Sequence, residues 1–242
     1  MEWLMDGVRL THVTAGFIGL TAFWVPIFTR KGASRHRLFG KVFKYSAYVV
    51  LTAAFFSVGY HIINALARGV SPSDAPGEFG FVVFLGYIAV ATAVMLHHGL
   101  TVLEHKRSLS EMNGPLDNGL AWTSIGAGVF IIAYAAYYNP PNAVLLYALS
   151  PLGILTGRGI LVAIKAEDGV QRAWFYEHMG SMIGTGIAFH TAFAVFGSLQ
   201  LWDLGLDGWI AVVPWVAPAI VGVPAIFIWV RHYQKKFGDV TA

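Results

Sequence analysis

The sequence predicts an all-α fold: an integral membrane bundle of seven transmembrane helices, N-terminus outside and C-terminus cytoplasmic. Three observations carry that prediction. The 242-residue chain is 56% hydrophobic and only 12% charged, against about 25% charged in a soluble domain. Seven apolar runs each approach the ~20 residues that cross a ~30 Å hydrocarbon core. Thirteen of the sixteen Lys and Arg residues fall on one side of the alternating connections, and the positive-inside rule puts that side in the cytoplasm.

The spans are expected near 8–28, 44–66, 79–103, 119–138, 142–164, 174–198 and 208–230, and residues 1–242 are read as one transmembrane domain. The first run follows acidic Glu2 and Asp6. A signal peptide would begin with a basic region, so a retained helix is expected. Between spans one and two come Arg30, Lys31, Arg35, Arg37, Lys41 and Lys44, a cytoplasmic cluster that sets topology and could also face lipid headgroups. Ser71-Pro-Ser-Asp74-Ala-Pro76 is an exterior turn before span three. Lys106 and Arg107 return the chain to the cytoplasm, where Asp117 or Asn118 can cap span four. Asn139-Pro-Pro-Asn142 is a tight exterior break, and Lys165 and Arg172 mark the next cytoplasmic connection. Pro214, Pro218 and Pro224 are expected to kink span seven, and Arg231, Lys235 and Lys236 form a basic tail. Trp3, Tyr60, Tyr137, Trp174, Trp202 and Trp229 lie near span ends, as an interfacial belt requires. Cysteine is absent, which excludes disulfides and thiolate chemistry.

Ionisable groups inside spans are costly and point to function. Counting from span ends at ~1.5 Å per residue sorts them into two groups. His12, His61 and His190 are expected roughly 6–12 Å below the exterior boundary, on three different helices. His97, His98, Glu177 and His178 are expected near the cytoplasmic face, with Arg158 a couple of turns inside it. Neutral imidazole is a ligand for zinc, copper and haem iron. The inner set could hold a haem through His98 or His97 with His178, and the outer set through His61 with His190 or His12. Arg158 is expected to pair with a haem propionate or with Glu177. Alternatively, His12, His61 and His190 could bind one zinc or copper ion, with Ser57 and Tyr60 nearby. His97 and His98 are adjacent and point about 100° apart, so only one of them is expected to be a ligand. His178 and His190 are twelve residues and about 120° apart, so they belong to two sites. Gly180-x-x-x-Gly184 is a small-residue face that could take a neighbouring helix, a flat cofactor or a second copy of the chain.

Lys31-Gly-Ala-Ser-Arg-His36-Arg-Leu-Phe-Gly40-Lys41 follows a first helix that begins with Thr11-His12, and Glu177-His178-Met-Gly180-Ser-Met182 precedes Ala192-Phe193. Together these resemble the bacterial multi-pass membrane proteins grouped as domain of unknown function 2306. The resemblance implies a multi-pass membrane protein and assigns no activity.

The functional expectation is a membrane protein with histidine-lined cofactor or metal sites. Its most concrete form is b-type haem electron transfer across a bacterial cytoplasmic (inner) membrane, with a quinone or redox protein as partner. The alternatives are a mononuclear zinc or copper enzyme or sensor at the outer histidines, and a non-catalytic accessory subunit or small-solute carrier. The excess of basic residues belongs to topology, so no nucleic-acid partner is expected. No serine-hydrolase elbow, phosphate loop or His-Glu-x-x-His motif is present, and the sequence leaves open whether the protein is an enzyme.

Overall fold

The structure, a computed structural model, describes residues 2–166, 171–198 and 212–239. Every regular element among the described residues is helical. The helices are α1 (Glu2–Phe28), α2 (Ser34–Ala67), α3 (Pro76–Thr101), α4 (Pro115–Tyr138), α5 (Ala143–Leu149), α6 (Pro151–Lys165), α7 (Ala173–Ala192) and α8 (Val213–Phe237). A 3-10 turn at Leu109–Met112 precedes α4, and α7 continues as a π-helical turn over Phe193–Ser198. Seven stretches are long and apolar enough to cross a membrane, with α5 and α6 together making one of them. That is the architecture of a multi-pass membrane protein.

The boundaries depart from the hydropathy reading in three places. α2 starts at Ser34, ahead of the expected 44, so four of the six loop cations, Arg35, Arg37, Lys41 and Lys44, are helical, and only Arg30 and Lys31 stay in the connection. α8 runs to Phe237 and takes in Arg231, Lys235 and Lys236; its expected start at 208 lies outside the described residues. Hydropathy stops at charge, whereas Lys and Arg are good helix formers that carry the backbone pattern onward. The expected span 142–164 breaks after Leu149, because Pro151 has no N–H to donate and takes the first position of a new helix.

Packing divides the chain into two compact units, 1–89 with 130–149, and 90–129 with 150–242. In the first unit, α1 and α2 form an antiparallel pair. Ala22 and Phe23 are buried with Phe43 and Ala47, and the Phe23 and Phe43 rings lie 5.5 Å apart. Lys31 Nζ closes the end of α1 by donating to the Pro26 and Ile27 carbonyls at 2.8 and 3.0 Å. Tyr134 donates to the Pro76 carbonyl at 2.9 Å, and Tyr87 to the Leu149 carbonyl at 2.8 Å. The Leu149 carbonyl closes α5, where the last carbonyls lack intrahelical donors, while the Pro76 carbonyl opens α3 and gains a second donor.

In the second unit, Val94, Val102, Leu109, Met112, Ala121, Ile160 and Ile164 form the core. α4 meets α6 backbone to backbone. A Cβ on Gly157 would collide with the Ala121 carbonyl, and one on Gly128 would come within 2.8 Å of the Ser150 carbonyl. Ser124, fully buried, donates to the Gly153 carbonyl at 2.8 Å. Small residues and an interhelical hydroxyl are how helices associate where lipid supplies no hydrophobic drive. The end of α8 is pinned to the start of α7. Asp239, its side chain only 3% exposed, accepts from Arg172 at 2.5 Å and from Tyr176 at 2.6 Å.

Candidate functional site

The polar residues of the second unit gather where α3 ends. His97 and His98 are consecutive on a helix, so they face different neighbours. His97 Nε2 lies 3.3 Å from Asp117 Oδ1, in the first turn of α4. There the carboxylate also complements the positive helix end. His98 Nε2 lies 3.1 Å from Glu177 Oε2 on α7. The two imidazoles differ in depth: the His97 side chain is 36% exposed and the His98 side chain 2%. His98 is thus the inward-facing member of the pair. Its second nitrogen, Nδ1, is buried and has no hydrogen-bond partner among the described residues.

His178 completes the group. Its Nδ1 donates to the Gly99 carbonyl at 2.6 Å. In the neutral ring that bond places the proton on Nδ1. α3 and α7 can approach this closely because of glycine: a Cβ on Gly99 would lie 2.8 Å from Ser181 Cβ, and one on Gly184 would collide with the Met95 sulfur. Gly180 faces Ile226 of α8. Within the chain, the Gly180/Gly184 face meets α3 at Gly184 and α8 at Gly180. The Glu177 side chain is 37% exposed, so one end of the cluster opens outward. His105 and Glu111 make a separate, more exposed pair at 3.2 Å in the following turn.

In the first unit, His12 and His61 do not gather in this way. His12 Nδ1 donates to the Val50 carbonyl at 3.1 Å, tying α1 to α2. Val50 and His61 are eleven residues apart on α2, or about 16 Å. The expectation that His12 and His61 share a depth is corrected on that ground: α1 begins at Glu2, which moves His12 towards mid-helix. Ligands of one zinc lie within ~2.1 Å of it, so these two cannot share an ion. His61 is exposed, its ring edge-on to Tyr60 at 5.6 Å, with no hydrogen bond to Ser57 or any other described residue. His190 Nδ1 donates to the Gly186 carbonyl, one turn back, at 2.7 Å. Among the described residues, no group of three or more His, Asp or Glu side chains is arranged to hold a metal ion.

Of the two partners expected for Arg158, Glu177 does not pair with it. It is exposed on α6 and makes no ion pair among the described residues, while Glu177 pairs with His98. The packed face of α6 carries Gly153, Gly157, Ile160 and Ile164. Arg158, one residue beyond Gly157, is turned about 100° from it. Asp117 was expected only as a helix cap. It also stands 3.3 Å from His97.

Comparison of the chain with family models, with curated proteins and with solved structures finds no match.

Proposed function

We propose that this chain is a multi-pass protein of a bacterial cytoplasmic membrane whose inner-leaflet histidines hold a cofactor, most concretely a b-type haem. The observation that carries the proposal is His98. A metal-ligating imidazole almost always gives its other ring N–H to a carboxylate or a backbone carbonyl, which fixes the tautomer and raises basicity. His98 has one nitrogen on Glu177 and the other buried without a partner among the described residues. His178 has the carbonyl version of the same arrangement, through Gly99.

The close approach of Gly99 to Ser181 argues against a flat macrocycle between α3 and α7 at that level. His98 would accordingly hold the group, and His178 would not share it with His98. A bound haem supplies one-electron transfer. The chain supplies the rest: Glu177 orients His98 through Nε2, and the packed α3–α7 seam keeps water away. A cytoplasmic location for this cluster follows from the charge asymmetry of the connections. A quinone or a redox protein would be the electron partner.

A second reading is a proton-transfer centre without a cofactor. It is favoured by the two imidazole–carboxylate pairs, His97 with Asp117 and His98 with Glu177. Intramembrane chains of His, Asp and Glu serve proton relays. The two readings separate in one preparation. The haem reading expects a visible band that shifts on reduction. The proton reading expects a colourless, metal-free protein that carries protons into liposomes, with the flux lost in Glu177→Gln.

A further inference from the structure

The first unit carries a feature that the histidine cluster does not use. Arg37, Lys41 and Lys44 recur at helical spacing, so they share one face of α2. Arg37 and Lys41 are exposed. The Lys44 ammonium leans along the helix, 5.5 Å from the Tyr45 ring centre and 5.8 Å from that of Tyr48. Nothing nearby neutralises these charges. No Asp or Glu occurs between Gly7 and Ser73, and none of the three cations makes an ion pair among the described residues. Lys31 stands apart, since its ammonium is spent on the end of α1.

Tyr48 also lines a groove of about 630 Å³ between α1 and α2. The walls are apolar, with Trp3, Leu4 and Val8 on one side and Val49, Ala53 and Phe56 on the other. Measured from Lys44 at 1.5 Å per residue, Tyr48 to Phe56 covers depths of about 6 to 18 Å. That is close to one leaflet of a ~30 Å core. Cations at the membrane edge attract anionic headgroups, and an apolar channel leading inward from them has the dimensions of an acyl chain. A free phosphate would use the cations and leave the groove idle.

We propose that this strip is a binding site for one anionic phospholipid of the leaflet on the side of the α1–α2 connection. Its phosphate sits on Arg37, Lys41 and Lys44, and an acyl chain lies in the groove past Tyr48.

The test is native mass spectrometry of the full-length protein offered an equal mixture of phosphatidylglycerol and phosphatidylcholine. The wild type should retain phosphatidylglycerol preferentially. Lys41→Gln with Lys44→Gln should cut that preference by about fivefold per cation removed. Gly7→Phe fills the groove from a position whose Cβ direction is open, and it should lower retention of both lipids. Gly7→Ala leaves the groove largely open, should retain both lipids, and controls for folding. Equal retention of the two lipids by the wild type would overturn the proposal. So would Gly7→Phe binding like the wild type, or millimolar inorganic phosphate displacing the phosphatidylglycerol.

Discussion

Removing the Glu177 carboxylate should weaken the cluster in two measurable ways. In Glu177→Ala, His98 loses the partner of Nε2 at 3.1 Å while its Nδ1 is already without one among the described residues. A side chain 2% exposed has no water to substitute. Leaving a buried polar group unsatisfied costs about 1–3 kcal/mol, and because the carboxylate itself is 37% exposed, the low end, about 1 kcal/mol, is expected. Glu177→Gln keeps an acceptor oxygen and should cost less. If His98 holds a metal or haem, losing its orienting carboxylate should also weaken cofactor affinity by about 10–100-fold. The assays are the thermal midpoint in detergent and the cofactor-to-protein ratio after dialysis, each read for wild type, Ala and Gln. If Glu177→Ala leaves both unchanged, the imidazole–carboxylate pair has no role in holding the site, and the reasoning fails.

Four further outcomes are expected. Gly157→Ala should destabilise by about 1–3 kcal/mol, since its Cβ meets the Ala121 carbonyl; Gly159→Ala, in open space, should be neutral or gain up to about 1 kcal/mol from helix propensity, and equal midpoints for the two variants would contradict this packing. Asp239→Ala strips the acceptor from Arg172 and Tyr176 and should expose the C-terminal turn of α8 to protease, whereas an unchanged cleavage rate would show that the contact does not hold the helix end. His61→Ala should leave any bound cofactor in place, because His61 is exposed and without a hydrogen bond; loss of cofactor would return that residue to the site. Ser71 Oγ and N both donate to Asp74, at 2.5 and 2.8 Å, and hold its carboxyl below the usual aspartate range. A depressed carboxyl protects the turn above the ordinary value and loses it as pH falls through the lowered one. Hydrogen exchange at the Ser71 amide should therefore stay slow below about pH 3.9 and accelerate only on further acidification, and loss of protection above that pH would refute it.

The seven apolar stretches were legible because hydropathy and length are local properties. Helix ends were less so, since Arg35 to Lys44 read as a loop by charge while their backbone continues α2. The break at Pro151 was visible as a residue but was smoothed over by the surrounding apolar run. At the site, depth alone brought His97, His98, Glu177 and His178 to one end of their helices. Which groups pair there depends on how α3, α4 and α7 rotate against one another, and a single sequence does not state that. Arg158 shows the same gap: its depth matched Glu177 but its phase did not. The Gly153-x-x-x-Gly157 face that fixes that phase is present in the sequence, with the same spacing as Gly180-x-x-x-Gly184. The pairing of His12 with Val50 likewise rests on the register of α1 against α2.

The central claim is that His98 is a cofactor ligand. The most direct measurement is the visible absorption spectrum, oxidised and reduced, with elemental analysis, of purified wild type and His98→Ala. The wild type should show a haem band that shifts on reduction, and His98→Ala should lose it. A wild-type protein that is colourless and free of metal after expression with ample haem and iron would contradict the claim.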